Sequence, residues 1–168
     1  RQTATFMILG NICTRSCGFC GVKTGRPEAV DWAEPEKVAR SISLMKVKHA
    51  VITSVDRDEL KDMGTFIWTE TVKAIRRLNP ETTLETLIPD FQGSERHIDK
   101  IVDVKPEVVS HNMETVRRLT REVRIQAKYD KSLYVLNYLK RKGIRRTKSG
   151  IMLGLGEKEN EVFQTLID

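Results

Sequence analysis

Apolar runs and helical segments alternate strictly along the chain, and this alternation limits the possible fold more than any other feature. The predicted strands cover residues 4–10, 49–53, 84–88, 108–110 and 150–155. The predicted helices begin at residues 34, 66, 95, 130 and 157, with Pro35 in the first turn of one and Asp130 as the cap of another. Strand-then-helix units in series require right-handed crossovers and a parallel sheet. The sequence therefore predicts an α/β fold with a parallel sheet, either open or closed into a barrel.

Polar segments follow the predicted strands and favour the barrel-like arrangement. They are a cysteine-rich loop at 13–20 and the segments 53–58, 89–90, 111–114 and 154–157. The carboxyl ends of the strands in a parallel barrel meet at one rim, and barrel active sites lie on that rim. The first run, ATFMILG, is almost continuously apolar, so we expect a strand that is buried on both faces of the sheet.

All three cysteines of the chain, Cys13, Cys17 and Cys20, lie in the stretch CTRSCGFC. A structural zinc site or an ordinary ferredoxin cluster takes four protein ligands. Three thiolates in one loop would therefore leave one coordination position open to a substrate or a cofactor. The stretch thus predicts a metal centre that binds something further.

Two other interpretations of the cysteines stay open. The thiols could be small buried hydrophobes, although Arg15 and Ser16 make the stretch polar and loop-like. They could also hold zinc together with a distant histidine. The candidate histidines are His49, His97 and His111. Neither interpretation explains the aromatic Phe19 between the last two cysteines.

Length and composition indicate one globular domain. The chain has 168 residues, of which 39% are hydrophobic and 31% charged. No apolar run approaches the roughly 20 residues of a membrane span, and no signal-peptide pattern occurs near the start. We therefore expect no membrane span. Because the sequence opens on Arg1 rather than methionine, we also expect it to be a fragment of a longer protein.

The net charge of +6 is unevenly distributed. Residues 117–148 contain twelve Lys or Arg residues against only Glu122 and Asp130. This basic segment would attract an acidic partner, or it is simply a solvated helix surface. Nucleic acid is not expected as a partner, because few aromatic residues interleave the charges. Three closely spaced cysteines without partners elsewhere favour a reducing compartment.

The C-x-x-x-C-x-aromatic-C pattern after a strand resembles the signature of the radical S-adenosylmethionine (radical SAM) enzymes. This resemblance implies that Cys13, Cys17 and Cys20 hold a [4Fe-4S] cluster whose fourth iron is chelated by S-adenosylmethionine. It also implies a parallel partial (βα)6 TIM-like barrel. The chain would supply about five of its βα units, as a radical SAM core domain over residues 1–168 that is incomplete at its carboxyl end.

Several longer stretches resemble the lipoyl synthases in particular. They are TATFMILGNICTRSCGFCGVKTGRP, VITSVDRDEL, TTLETLIPDFQG, SHNMETVRRL and TKSGIMLGLGE. The resemblance implies a sulfurtransferase that inserts sulfur into octanoyl groups on a lipoyl carrier protein or lipoyl domain, with ferredoxin or flavodoxin as electron donor. The expected location is the cytoplasm, or a mitochondrion or plastid in a eukaryote. A second, auxiliary [4Fe-4S] cluster is expected in the full-length protein only, because its cysteines are absent here.

The same resemblance implies roles for individual residues, all in binding S-adenosylmethionine; no catalytic side chain is assigned. The predicted cofactor-binding residues are Phe19 near the adenine, Thr53 and Asp56 at the amino group, Asn112 and Glu114 at the ribose and methionine moieties, Arg124 at the carboxylate, and Gly150, Met152 and Gly154 near the adenine. Other roles remain open: Asp56 could cap the next helix, Asn112 could form a turn and Arg124 could be a surface cation. His111 is predicted to pack behind the site rather than to bind a ligand.

Two alternative functions are compatible with the cysteine loop alone. One is a different radical SAM reaction, such as another sulfur insertion or a methyl transfer. The other is a non-catalytic module in which an iron-sulfur centre only stabilises a scaffold or carries electrons. The segments TSVDRDEL and HNMET favour the lipoyl synthases over the first alternative.

Overall fold

The computed structural model describes residues 2–168, and these form an α/β fold. The strands are β1 (Thr3–Ile8), β2 (Ile12–Cys13), β3 (Lys23–Thr24), β4 (His49–Ser54), β5 (Thr83–Leu87), β6 (Val108–Ser110) and β7 (Thr147–Lys148). The helices are α1 (Glu34–Leu44), α2 (Thr65–Leu78), α3 (Glu95–Asp103), α4 (Arg117–Val123), α5 (Tyr129–Arg141) and α6 (Glu159–Ile167), with a 3-10 turn at Phe91–Gly93.

Five strands form the main sheet in the order β1-β4-β5-β6-β7, and every neighbouring pair is parallel. In this order each strand pairs with the next main-sheet strand along the chain, as in a barrel, whereas a doubly wound sheet reverses its order at a switch point. The strand order confirms the predicted fold class, a parallel partial barrel of about five βα units. The short strands β2 and β3 pair separately and frame the cysteine loop.

The two faces of the main sheet differ in what covers them. One face carries Ala50, Ile52 and Leu84, which are fully buried in the core with side chains of the surrounding helices, such as Ile42 and Trp68. The opposite face carries Met7, Thr53 and Leu87, which line a cavity instead. Because side chains alternate across a strand, the same strands supply both the core and the walls of the site.

The prediction that the first strand is buried on both faces was wrong. Strand β1 lies at an edge of the sheet, and its exposed and partly buried residues alternate until Ile8. Met7 is 42% exposed because it faces the open side of the sheet rather than a helix layer.

The predicted strand at 150–155 was also wrong in its position. The main-sheet strand is β7, at 147–148, and of the later residues only Ile151 makes an isolated parallel bridge, to Glu114. Gly154 and Gly156 have φ values of 102° and 101°, which end any extended run. Leu153 is 70% exposed, so this apolar run does not form a buried strand.

Helix α5, in the basic segment 117–148, begins differently from the prediction. Lys128 occupies the cap position of α5, and its side chain makes no cap hydrogen bond. Asp130 lies within the first turn, where its carboxylate accepts a 2.6 Å hydrogen bond from Arg117. Helix α4, which carries Arg117, was not predicted.

The other predicted strands match the structure within two residues at each end, and the other predicted helices begin within two residues of their predicted starts; β2 and β3 were not predicted. Helix α1 has Pro35 in its first turn, and α5 ends before Gly143, whose φ of 84° suits glycine. No helix among residues 2–168 is both long and apolar enough to span a membrane.

Candidate cofactor site

A cavity of about 280 Å³ opens at the carboxyl ends of the main-sheet strands. Its walls come from the cysteine loop, from the segments that follow β4, β5 and β6, and from the chain around the carboxyl end of α4. Of the predicted site residues, Cys13, Cys17, Phe19, Cys20, Thr53, Asp56, Asn112, Glu114 and Arg124 line it. Segments from five places in the sequence therefore meet at one rim, as the barrel prediction requires.

The cysteine loop is attached to both sides of this rim by backbone hydrogen bonds. The amide of Thr14 donates to the carbonyl of Asp56 at 3.1 Å, and the amide of Gly18 donates to the carbonyl of Val123 at 2.8 Å. The loop is therefore tied to the end of β4 on one side and to α4 on the other.

The environment of the thiols suits an iron-sulfur cluster. The amides of Arg15 and Asp56 point at the Cys13 sulfur, at 3.4 and 3.3 Å, and the amide of Val22 points at the Cys20 sulfur at 3.5 Å. Such contacts stabilise sulfur that carries negative charge. Burial raises the pKa of Cys13 and of Cys17, so a bound metal would have to keep these thiols deprotonated. The donor set of three thiols in one loop fits a [4Fe-4S] cluster.

A zinc site completed by a histidine fits this geometry less well. Both ring nitrogens of His111 have protein partners, and neither His49 nor His97 lines the cavity. Among residues 2–168, no three His, Cys, Asp or Glu side chains are arranged to hold a single metal ion.

Arg15, a residue of the cysteine loop, anchors the loop to Asp58 and Asp90. Its Nε and Nη2 donate to the two carboxylate oxygens of Asp58 at 2.6 and 2.8 Å, and Nη2 also donates to Asp90 at 2.7 Å. Arg15 is 6% exposed and Asp90 is 1% exposed. Although burial opposes the charged form, hydrogen bonds to Asp58 and Asp90 raise the pKa of Arg15. This buried ion pair was not predicted from the sequence.

Asp56 lies between the cysteine loop and Arg15. Its carboxylate is 3.3 Å from Arg15 Nε and 3.9 Å from the Cys13 sulfur. Burial raises the pKa of Asp56 to about 6 despite the opposing charge of Arg15. It does not cap the next helix, because Asp62 accepts the amides of Gly64 and Phe66 at the start of α2.

Asn112 and Glu114 form a hydrogen-bonded pair on the cavity wall. The side-chain amide of Asn112 donates to Glu114 Oε1 at 3.0 Å. Gly150 lies behind this pair: a Cβ atom there would be 3.0 Å from Asn112 Oδ1, so a larger residue would press on the amide. The amide of Met152 donates to the carbonyl of Glu114 at 2.8 Å and holds the same segment.

Arg124 is a buried cation at the cavity wall. It is 7% exposed, so the surface-cation interpretation was wrong. Its Nη1 donates to the carbonyl of Met113 at 2.9 Å and to Ser132 Oγ at 3.2 Å. No carboxylate among residues 2–168 forms an ion pair with it, and burial lowers the pKa of Arg124. A guanidinium of this kind is suited to an anionic ligand.

The structure does not bring all predicted residues into the cavity. Gly150, Met152 and Gly154 do not line it; Gly150 instead lines a second, apolar cavity between α5 and α6. Their role at the adenine stays a prediction. Conversely, Met7 and Arg15 line the cavity and were missed. Asp90 also lines it; its segment was predicted at the rim, but Asp90 itself was not predicted as a binding residue.

Comparisons with known proteins identify the family of this chain. The family model described as the radical SAM superfamily matches residues 7–167. The chain belongs to the radical SAM superfamily. The solved structure of HydG, a maturase of the [FeFe]-hydrogenase, has a similar fold: it superposes with a TM-score of 0.76 at 16% identity, and the match covers 98% of this chain and 38% of that one.

Two curated relatives are much more similar in sequence. The lipoyl synthase of Christiangramia forsetii and the mitochondrial lipoyl synthase of Nematostella vectensis are each 82% identical over 166 residues, which is 99% of this chain. The chain spans 57% of the length of each of them. This similarity confirms that the radical SAM chain resembles the lipoyl synthases, as its motifs predicted.

Proposed function

We propose that this chain is the radical SAM core of a lipoyl synthase. The observation that carries the proposal is its high identity to lipoyl synthases over nearly its whole length. The reaction would be insertion of sulfur into octanoyl groups carried by a lipoyl carrier protein or lipoyl domain. When bound, a reduced [4Fe-4S] cluster and S-adenosylmethionine would supply a 5'-deoxyadenosyl radical able to abstract hydrogen from unactivated carbon.

Different residues at the rim would bind the cluster and the different groups of S-adenosylmethionine. Cys13, Cys17 and Cys20 would hold the cluster. Arg124 would pair with the carboxylate of S-adenosylmethionine, because it is a buried guanidinium without an acidic partner among the described residues. Thr53 and Asp56 would accept hydrogen bonds from the amino group, although Asp56 also forms an ion pair with Arg15.

Asn112, Glu114 and Phe19 would complete the binding of the cofactor. Asn112 and Glu114 offer amide and carboxylate groups that can bind ribose hydroxyls. Phe19 offers an aromatic face beside the cysteines, on which an adenine can stack.

An acidic carrier would fit the basic part of the chain. Some of its cations are already paired, as Arg118 is with Glu161. Arg121 and Lys128 are exposed and have no ion-pair partner within residues 2–168. Arg121 lies in α4 and Lys128 at the start of α5. This part of the chain is next to the cysteine loop, because the amide of Gly18 donates to the carbonyl of Val123. Such unpaired cations would steer an acidic protein towards the cavity.

Ferredoxin or flavodoxin is the proposed electron donor. The auxiliary [4Fe-4S] cluster is proposed for the full-length protein only. Three free cysteines in this chain support a reducing location, which we propose is the cytoplasm or, in a eukaryote, a mitochondrion or plastid.

Anaerobic assay of the reconstituted chain tests the proposal. Dithionite-reduced protein should convert S-adenosylmethionine to 5'-deoxyadenosine, and the Cys17→Ala protein should not. Because all three cysteines are used for one cluster, the chain alone should form no lipoyl groups. A soluble, cluster-loaded preparation that releases no 5'-deoxyadenosine would contradict the proposed cofactor site. Lipoyl formation by the chain alone would contradict the need for a second cluster.

A further inference from the structure

His111, Ser132 and Arg124 form a continuous hydrogen-bonded chain at the cavity wall, where His111 and Arg124 line the cavity. His111 Nδ1 is 2.9 Å from the carbonyl oxygen of Ile88, and His111 Nε2 is 2.9 Å from Ser132 Oγ. Ser132 Oγ in turn lies 3.2 Å from Arg124 Nη1. His111 and Ser132 are 3% and 0% exposed, so water does not compete for these contacts.

The directions of these hydrogen bonds follow from the chemistry of the groups. A carbonyl oxygen only accepts, so His111 Nδ1 carries the proton that it donates to Ile88. Burial lowers the pKa of His111 to about 4, so the ring is neutral near pH 7 and Nε2 is an acceptor. The Ser132 hydroxyl must then donate to His111 Nε2, which leaves its lone pairs to accept from Arg124.

These hydrogen bonds determine which nitrogen atoms of Arg124 remain available to bind a ligand. Nη1 donates two hydrogen bonds within the protein, to Ser132 Oγ and to the carbonyl of Met113. The other guanidinium nitrogens, Nε and Nη2, have no acceptor among residues 2–168. These two atoms form one edge of the guanidinium, the edge that pairs with a carboxylate in a two-pronged manner.

We infer that His111 and Ser132 are positioning residues that hold the Arg124 guanidinium at the cavity wall, with its Nε–Nη2 edge free for a carboxylate. This inference rests on the proposed function, because it takes that carboxylate to be the one of S-adenosylmethionine. The neutral His111 orients Ser132, and Ser132 orients Arg124. Neither residue needs to touch the cofactor.

Equilibrium dialysis of S-adenosylmethionine against cluster-loaded protein tests the inference. Ser132→Ala removes the hydroxyl that holds Nη1, and we expect the Kd to rise about tenfold, a usual loss for one hydrogen bond to a charged group. His111→Asn keeps a donor for Ile88 but removes the acceptor for Ser132, and it should raise the Kd similarly. Iron content should stay at the wild-type level in both variants.

Thr71→Val is the matched control, because Thr71 is also fully buried and its hydroxyl has no partner within the described residues. Its Kd should equal that of the wild type. Equal Kd values for Ser132→Ala and Thr71→Val would overturn the inference. In that case, weak binding of S-adenosylmethionine by the Arg124→Ala protein would still support Arg124 as the carboxylate partner.

A crystal structure of the Ser132→Ala protein gives a second test that does not depend on binding. The Arg124 guanidinium should turn away from its wild-type position, and an unmoved guanidinium would overturn the inference. If the wild-type protein binds no S-adenosylmethionine, the proposed function fails, and the crystal structure still decides whether Ser132 positions Arg124.

Discussion

Arg15 and Asp58 form a two-pronged ion pair, with Nε 2.6 Å from Oδ2 and Nη2 2.8 Å from Oδ1. Asp90 receives a further bond from the same Nη2. One guanidinium thus joins the cysteine loop to the carboxyl ends of two neighbouring strands. The site is held in shape by a residue that lies between Cys13 and Cys17, two of its proposed cluster ligands, in the sequence.

Replacing Arg15 by Met should destabilise the cluster-free protein by about 3–5 kcal/mol, because the buried Asp90 and the partly buried Asp58 would lose the cation that pairs with them. Urea unfolding of the cluster-free protein measures this loss. Arg77→Met is the control, since Arg77 pairs with Glu36 on the surface. It should cost less than about 1 kcal/mol. Equal losses in the two variants would show that the Arg15 ion pairs add no stability.

Replacing Cys17 by Ala should abolish cluster binding, because two thiolates do not hold the cluster securely. The wild-type chain should bind about four iron atoms, which is one cluster. Iron and sulfide analysis after anaerobic reconstitution measures both. Ser16→Ala, one residue away, should keep the wild-type iron content. Iron for two clusters in the wild type, or full iron in the Cys17→Ala protein, would contradict the assignment of the three thiols.

The stability of the protein should fall as the pH is lowered from 6.5 to 4, in part because of His111. Burial lowers the pKa of His111 to about 4, so in this range the unfolded chain binds a proton that the folded chain does not. The facing charged groups are Arg124, Asp90 and Arg15; the arginines lower this pKa and Asp90 opposes them. The pH-dependent contribution of His111 to the free energy of unfolding is fully present above pH 6.5 and amounts to roughly 3 kcal/mol.

Urea unfolding at several pH values tests this dependence on His111. His111→Gln cannot titrate, so its stability should change by roughly 3 kcal/mol less between pH 6.5 and 4 than that of the wild type. Identical slopes for the two proteins would rule out the titration of His111 as a cause.

Replacing Gly64 by Ala should destabilise the fold by about 1–3 kcal/mol. Gly64 has a φ of 79°, and a Cβ atom there would lie 2.5 Å from Leu9 Cδ1. Gly21→Ala is the control, because Gly21 has an ordinary φ and no atom within 4 Å of an added Cβ. Urea unfolding compares the two, and a Gly64→Ala protein as stable as Gly21→Ala would contradict this crowding.

Much of the fold could be predicted because its signals are local. Strand β6 and helix α3 follow from short apolar runs and from Pro106, and the cysteine loop is visible as a motif. The strand near 150 could not be placed, since its short pairing with Val109 and Ser110 depends on the neighbouring strand rather than on its own apolar residues.

The interior of the site was harder to predict than its rim. The pairing of Arg15 with Asp90 joins residues 75 positions apart, and only the adjacency of strands brings them together. Likewise, nothing in the sequence near Arg124 distinguishes it from the exposed Arg121, because burial depends on how the chain folds back over α5. The roles of the cofactor-binding residues stay predictions until S-adenosylmethionine binding is measured.

The order of the strands in the main sheet also bears on how the protein is made. Thr3 pairs with His49, Leu84 with Ala50, and Glu85 with Val108, so each new strand adds to the edge left by the one before it. During synthesis from the amino terminus, every strand that leaves the ribosome finds its partner already present. The cysteine loop, between the first and second main-sheet strands, can therefore reach its anchor at Asp58 early, before the last units of the barrel exist.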